Sequence, residues 1–72
     1  MAKDSGTVYR VTEVIGTSST SWEDAARSAV KTAAGTLRDL RIAEIEKLDV
    51  KIEDGKVTQF RARLALSFKY EG

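Results

Sequence analysis

The sequence predicts an α+β fold: a single β-α-β-β domain whose three-stranded, antiparallel-type mixed sheet wraps on one helix. Three observations carry this. Residues 7–15 (TVYRVTEVI) are rich in β-branched side chains. Residues 22–40 repeat apolar side chains at a spacing close to 3.6. Two alternating runs meet at Asp54-Gly55, a tight-turn dipeptide. The 72 residues are one domain, 1–72, in which residues 1–6 are a polar, flexible lead.

Along the first strand, Tyr9, Val11 and Ile15 share one parity and Arg10 and Thr12 the other, so the apolar set is expected on the buried face. Glu13 interrupts that face, where the strand opens to solvent or meets a neighbouring subunit. Residues 16–20 (GTSST) read as a loop of turn formers. Ser21 then makes a helix N-cap, with Asp24 three residues on as in a capping box. Glu23 and Asp24 also put negative charge at the positive end of the helix dipole. The helix is expected from Trp22 to Leu40, with Ala26, Ala29, Val30, Ala33, Leu37 and Leu40 as its apolar stripe and Gly35 as one more small position. Small residues allow close approach to a sheet but bury little area each.

The second strand is expected from Ile42 to Ile52. Leu48, Val50 and Ile52 alternate, but Ile45 has the opposite parity, which predicts a bulge near Glu46 and Lys47. The third strand runs from Lys56 to Tyr70. Phe60, Ala62, Leu64, Leu66, Phe68 and Tyr70 face one way, and Arg61, Arg63, Ala65, Ser67 and Lys69 the other. The first and second strands run parallel across a right-handed helical crossover. The third pairs antiparallel with the second and fits between the two. Arg10, Thr12, Arg61, Arg63 and Ser67 are then expected on the face away from the helix.

Composition narrows the function. A chain this small buries only about 60% of its unfolded surface and usually needs staples or partners. The absence of Cys and His rules out disulfides and His-containing zinc sites, which leaves self-association as the leading source of stability. The 12 Lys+Arg against 11 Asp+Glu give a net charge of +1, not the lopsided basic balance usual in nucleic-acid binders. No apolar run approaches the roughly 20 residues of a membrane span, and residues 1–10 hold no apolar signal segment, so a cytoplasmic protein is expected. Without His, Cys or a Gly-rich phosphate loop, and with no base near Ser18, Ser19 or Ser21 to activate a hydroxyl, the chain is not expected to be an enzyme.

Several side chains admit two readings. Arg61 and Arg63, with Arg10 near them, suit an oxyanion such as a mononucleotide phosphate, because the guanidinium fork binds oxyanions bidentately. The favoured reading is intersubunit ion pairing with Glu44, Glu46 or Asp49 on the adjacent strand, which fixes register. Glu44, Glu46, Asp49, Glu53 and Asp54 supply oxygen ligands for Ca or Mg if symmetry brings one carboxylate per subunit to an axis; otherwise they form a solvated strand edge. Trp22 is either a stacking residue for a ligand or a first-turn side chain packed on the sheet edge or a neighbouring subunit.

The order and spacing of several segments resemble the dodecin family. Residues 8–18 (VYRVTEVIGTS) look like its first strand and exit, and residues 21–25 (SWEDA) like its helix start. Residues 36–40 (TLRDL) look like its helix end, and residues 53–57 (EDGKV), with the alternating tail through Phe68, like its hairpin and last strand. The resemblance covers about residues 7–71. It implies a hollow homododecamer with helices outward, storing flavin such as riboflavin or FMN near two-fold axes. In the family a Trp at the start of the second strand stacks on the flavin, and a Gln on the third strand hydrogen-bonds it. On this sequence the Trp position falls on Ile42 and the Gln position on Arg61, so the resemblance implies a ligand site there that lacks its stacking ring; with Glu44 and Arg63 from the charged-residue readings, the candidate ligand residues are Ile42, Arg61, Glu44 and Arg63. Losing a contact of about 1–3 kcal/mol weakens binding by about one to two powers of ten. The function expected is a homo-oligomeric small-ligand shell binding flavin with reduced affinity. The alternatives are a structural dodecamer that has lost flavin and holds ions at symmetry axes, and a small nucleic-acid-binding domain using the Arg-bearing sheet face.

Overall fold

The computed structural model describes residues 8–69, in which strand β1 (Tyr9–Ser18), helix α1 (Trp22–Ala34) and strands β2 (Leu40–Glu53) and β3 (Lys56–Lys69) follow in the expected order. The expected flexible lead and Tyr70 lie outside the described residues. The sheet order is β1-β3-β2, with β3 antiparallel to both neighbours. β1 and β2 therefore run parallel without touching, and every hydrogen-bonded pair is antiparallel. Asp54 (φ 52) and Gly55 (φ 75) both occupy the left-handed region, the geometry of a two-residue type I′ hairpin turn. The expected bulge is present as a register shift between Ile45 and Lys47, with further shifts between Leu40 and Ile42 and between Lys51 and Ile52.

Ser21 caps α1 from an extended conformation, its hydroxyl accepting from Asp24 N at 3.0 Å. The other half of the box is rearranged: the Asp24 carboxylate accepts from Ser18 Oγ at 2.8 Å, and that oxygen accepts from Thr20 N at 2.9 Å. The helix ends at Ala34, six residues before the expected end at Leu40. Gly35 is its C-cap, and both Thr36 N and Leu37 N donate to Ala33 O, at 3.0 and 2.8 Å. Asp39 (φ 54) then turns the chain into β2. Leu37 and Leu40 keep the apolar spacing because both still pack on the core, one from a loop and one from a strand.

The core is Ala25, Ala29 and Ala33 of α1 against Ala62, Leu64 and Leu66 of β3. The first strand presents the opposite face from the one expected. Val14 pairs with Leu64 and Gly16 with Ala62, so the even-numbered residues face the helix, together with Thr12 and Arg10. Tyr9, Val11 and Ile15 are 52%, 63% and 47% exposed on the far side. The reason lies at Gly16, which reads as a turn former but sits inside β1. A Cβ there would overlap the Ala25 carbonyl oxygen and lie 2.8 Å from the Ala29 Cβ. Only glycine lets the helix come this close, and that contact fixes which face of β1 is inward.

α1 lies over β1 and β3 and leaves β2 aside. Almost every residue of β2 is exposed, including Ile45 (51%) and Leu48 (48%) on the helix side. A groove of about 790 Å³ separates Ala26 and Val30 of α1 from Ala43 and Ile45 of β2. β1 pairing ends at Ser18–Phe60, so residues 50–59 continue as a two-stranded arm.

Candidate ligand face

The face of the sheet away from α1 carries the candidate residues, and register orders them in rows. Thr17, Arg61 and Asp49 form one row; Ile15, Arg63 and Lys47 the next; then Glu13, Ala65 and Glu44; then Val11, Ser67 and Ile42. Glu46, displaced by the bulge, joins the Glu13–Glu44 row, since it interacts with both carboxylates and with Arg63. The face is thus graded, with charged pairs toward the arm, three carboxylates in the middle and, beyond them, Val11 and Ile42 flanking Ser67.

Arg61 is fixed by its own chain. Its Nε donates to Asp49 Oδ1 at 2.7 Å and its Nη2 to Asp49 Oδ2 at 3.1 Å, a bidentate fork. That hydrogen bonding holds the Asp49 carboxyl below the usual carboxylate range and pushes the Arg61 guanidinium up. The ion pair expected between subunits is thus made within one chain instead, because the β2–β3 register sets Asp49 opposite Arg61. Arg63 lies beside Glu46, with a pocket of about 400 Å³ next to it, lined by Glu13, Val14 and Ile15. Arg10 is on the other face, opposite Phe68, and does not join them.

Glu46 is pushed above its ordinary value although it lies at the surface. Loss of water from its carboxylate comes first, then a hydrogen bond with Glu13 and repulsion from Glu13 and Glu44, opposed by Arg63. A hydrogen bond between two carboxyls needs one of them protonated. Among the described residues no group of three or more acidic side chains is arranged to hold a metal within one chain. Asp49 is bound to Arg61, and Glu53 pairs with Lys51 at 3.3 Å. On this face Glu13, Glu44 and Glu46 lie together, while Asp54 sits in the hairpin turn away from them.

Ile42 is 65% exposed, and Ser67 Oγ donates to its carbonyl at 3.4 Å. One chain does not bring Ile42 and Arg61 together. Their β3 partners, Ser67 and Arg61, are six residues apart, roughly 20 Å at the rise of a strand. Gln59 lies on the same face as Arg61, opposite Lys51. It was passed over from sequence, although shared parity with Arg61 was the signal for it.

A family model described as Dodecin matches residues 8–71. This chain belongs to the dodecin family. Calcium dodecin of Mycobacterium tuberculosis is 44% identical over 63 residues, covering 86% of this chain and 87% of its relative. The solved dodecin of Streptomyces coelicolor superposes with a TM-score of 0.89 at 42% identity, over 96% of this chain and 99% of that one. The solved Mycobacterium tuberculosis calcium dodecin, described as a calcium-chelating antigen with a novel calcium-binding site, gives 0.80 at 42% identity, over 89% and 91%. The β-α-β-β topology is thus the dodecin fold, and no helix among the described residues is long and apolar enough to cross a membrane.

Trp22 follows its structural reading inside one subunit. Its Nε1 donates to Asp49 O at 3.0 Å, and its ring meets Phe60 edge-on, with centroids 5.2 Å apart at 76°. It packs on the helix side of the sheet, away from Ile42.

Proposed function

We propose that the whole chain, 1–72, is one domain and one subunit of a cytoplasmic, dodecameric, non-catalytic shell that holds small ligands. One observation carries this: β2 is exposed on both faces, with Ile45 and Leu48 open on one side and Ile42 on the other. A subunit this small gains most by covering such surface with copies of itself. The 20 Å between Ile42 and the arm means that a ligand site using both ends is completed by a neighbouring copy.

The ligand reading has two branches. The apolar side chains of Val11 and Ile42 suit a flat ring such as riboflavin or FMN, bound with reduced affinity because Ile42 offers no π face. The amide for the ring edge is supplied by Gln59, with Arg61 held back by Asp49. The second branch is calcium, favoured by the 44% identity to a protein named calcium dodecin and by the carboxylates of Glu13, Glu44 and Glu46. The sheet face does not suit nucleic acid, since Arg61 is neutralised by Asp49 and Arg63 stands beside Glu46.

Light scattering combined with ligand titration tests the proposal. A particle near twelve times 7.9 kDa is expected; a monomer overturns the shell. Ile42→Trp is expected to quench added FMN about tenfold more tightly than the parent. If neither protein quenches flavin while calcium, and not magnesium, is retained on equilibrium dialysis, the calcium branch stands and the flavin branch falls.

A further inference from the structure

We propose that Trp22 is the positioning residue of the β2–β3 arm, tying it to the helix where β1 gives out and so fixing the ends of Gln59 and Arg61. The inference rests on the ligand-shell reading only for what those two side chains then do. β1 pairs with β3 up to Ser18–Phe60, and beyond that point only β2 and β3 remain. A two-stranded hairpin is marginal in water by itself. The arm bears Ile52 and Val57 exposed at 62% and 52%, so it has little packing of its own to hold it.

At that junction Trp22 makes two contacts. Its indole N–H donates to the Asp49 carbonyl, and its ring lies edge-on to Phe60, so each strand is gripped at the root of the arm. Asp49 links the two sides of the sheet. Its backbone oxygen accepts from Trp22 on the helix side, and its carboxylate holds the Arg61 fork on the ligand side. Neighbouring Ser21 caps the helix and fixes where Trp22 starts. The chain from helix N-terminus to ligand face is therefore Ser21, Trp22, Asp49 and Arg61, with Phe60 alongside.

Trp22→Phe separates the contacts, since it keeps an aromatic edge for Phe60 and deletes the N–H donor. Amide hydrogen exchange on the assembled protein reads the result. Arm amides at residues 50–59 are expected to exchange several-fold to about tenfold faster in Trp22→Phe, and more in Trp22→Ala. Amides at 62–66 should stay as in the parent. Asp49→Asn is the control: its backbone carbonyl still accepts from Trp22, so arm exchange should hold while Arg61 is released. Faster exchange throughout the sheet, or none in the arm, overturns the positioning role. Light scattering of the parent in the same buffer tests the shell separately, so a monomeric parent sinks that reading without deciding this one.

Discussion

The two halves of the sheet differ in what the chain does for them. β1 and β3 lie under α1 and share the core of Leu64, Leu66, Ala62 and the helix alanines. β2 has the same length as β3 and twice its β-branched residues, yet it is exposed almost throughout. The difference teaches that strand character alone does not locate a core. The close approach at Gly16 draws the helix over β1 and β3, and β2 is left uncovered by its own chain.

The comparison breaks first in the covered half. Leu64 is 1% exposed, and Leu64→Ala should cost about 3 kcal/mol. A thermal melt by circular dichroism checks it; an unchanged midpoint would mean that Leu64 is not the keystone of the core. Leu48→Asp tests the uncovered half. Within a subunit Leu48 is 48% exposed, so the strand content should survive while light scattering reports a smaller particle. Retention of the full particle would place the contact between copies elsewhere.

The smallest effects sharpen the contrast through pH. The folded-state proton affinity of Glu46 is raised, so the fold retains a proton that the unfolded chain has already released. Stability from this group is present at low pH and lost as pH rises through its folded value. Glu46→Gln should therefore raise the melting temperature at pH 7, with the advantage gone near about pH 4. Asp49 has the opposite sign. Its lowered value contributes stability at neutral pH that is lost as pH falls through the carboxylate range, and Asp49→Asn should remove it. Parallel melts from pH 7 to pH 3 read both, and equal slopes in the two variants would refute the assignment.

Much of this was legible from the sequence. Ser21 and Asp24 gave the helix start, Asp54-Gly55 the turn, the misplaced parity of Ile45 the bulge, and the alternation of β3 its inward face. What was not legible depends on how elements meet. Tyr9, Val11 and Ile15 outscore Thr12, Val14 and Gly16 in hydrophobicity, and only the helix contact at Gly16 shows why the less apolar set is inside. Gly35 ends the helix, but Leu37 and Leu40 beyond it still serve the core, so periodicity ran past the true end. The distance between Ile42 and Arg61 is set by register, which no local pattern contains.

The open edge of β2 has a consequence for the life of a newly made chain. In a single copy this edge is a bare line of backbone N–H and C=O groups of the kind that templates fibres. Along that line stand Arg41, Glu44, Glu46, Lys47, Asp49, Lys51 and Glu53. Their mixed signs penalise many registers, since sliding one strand past another brings like charges face to face. The same residues that read as a solvated edge therefore also disfavour misaligned strand pairing along β2.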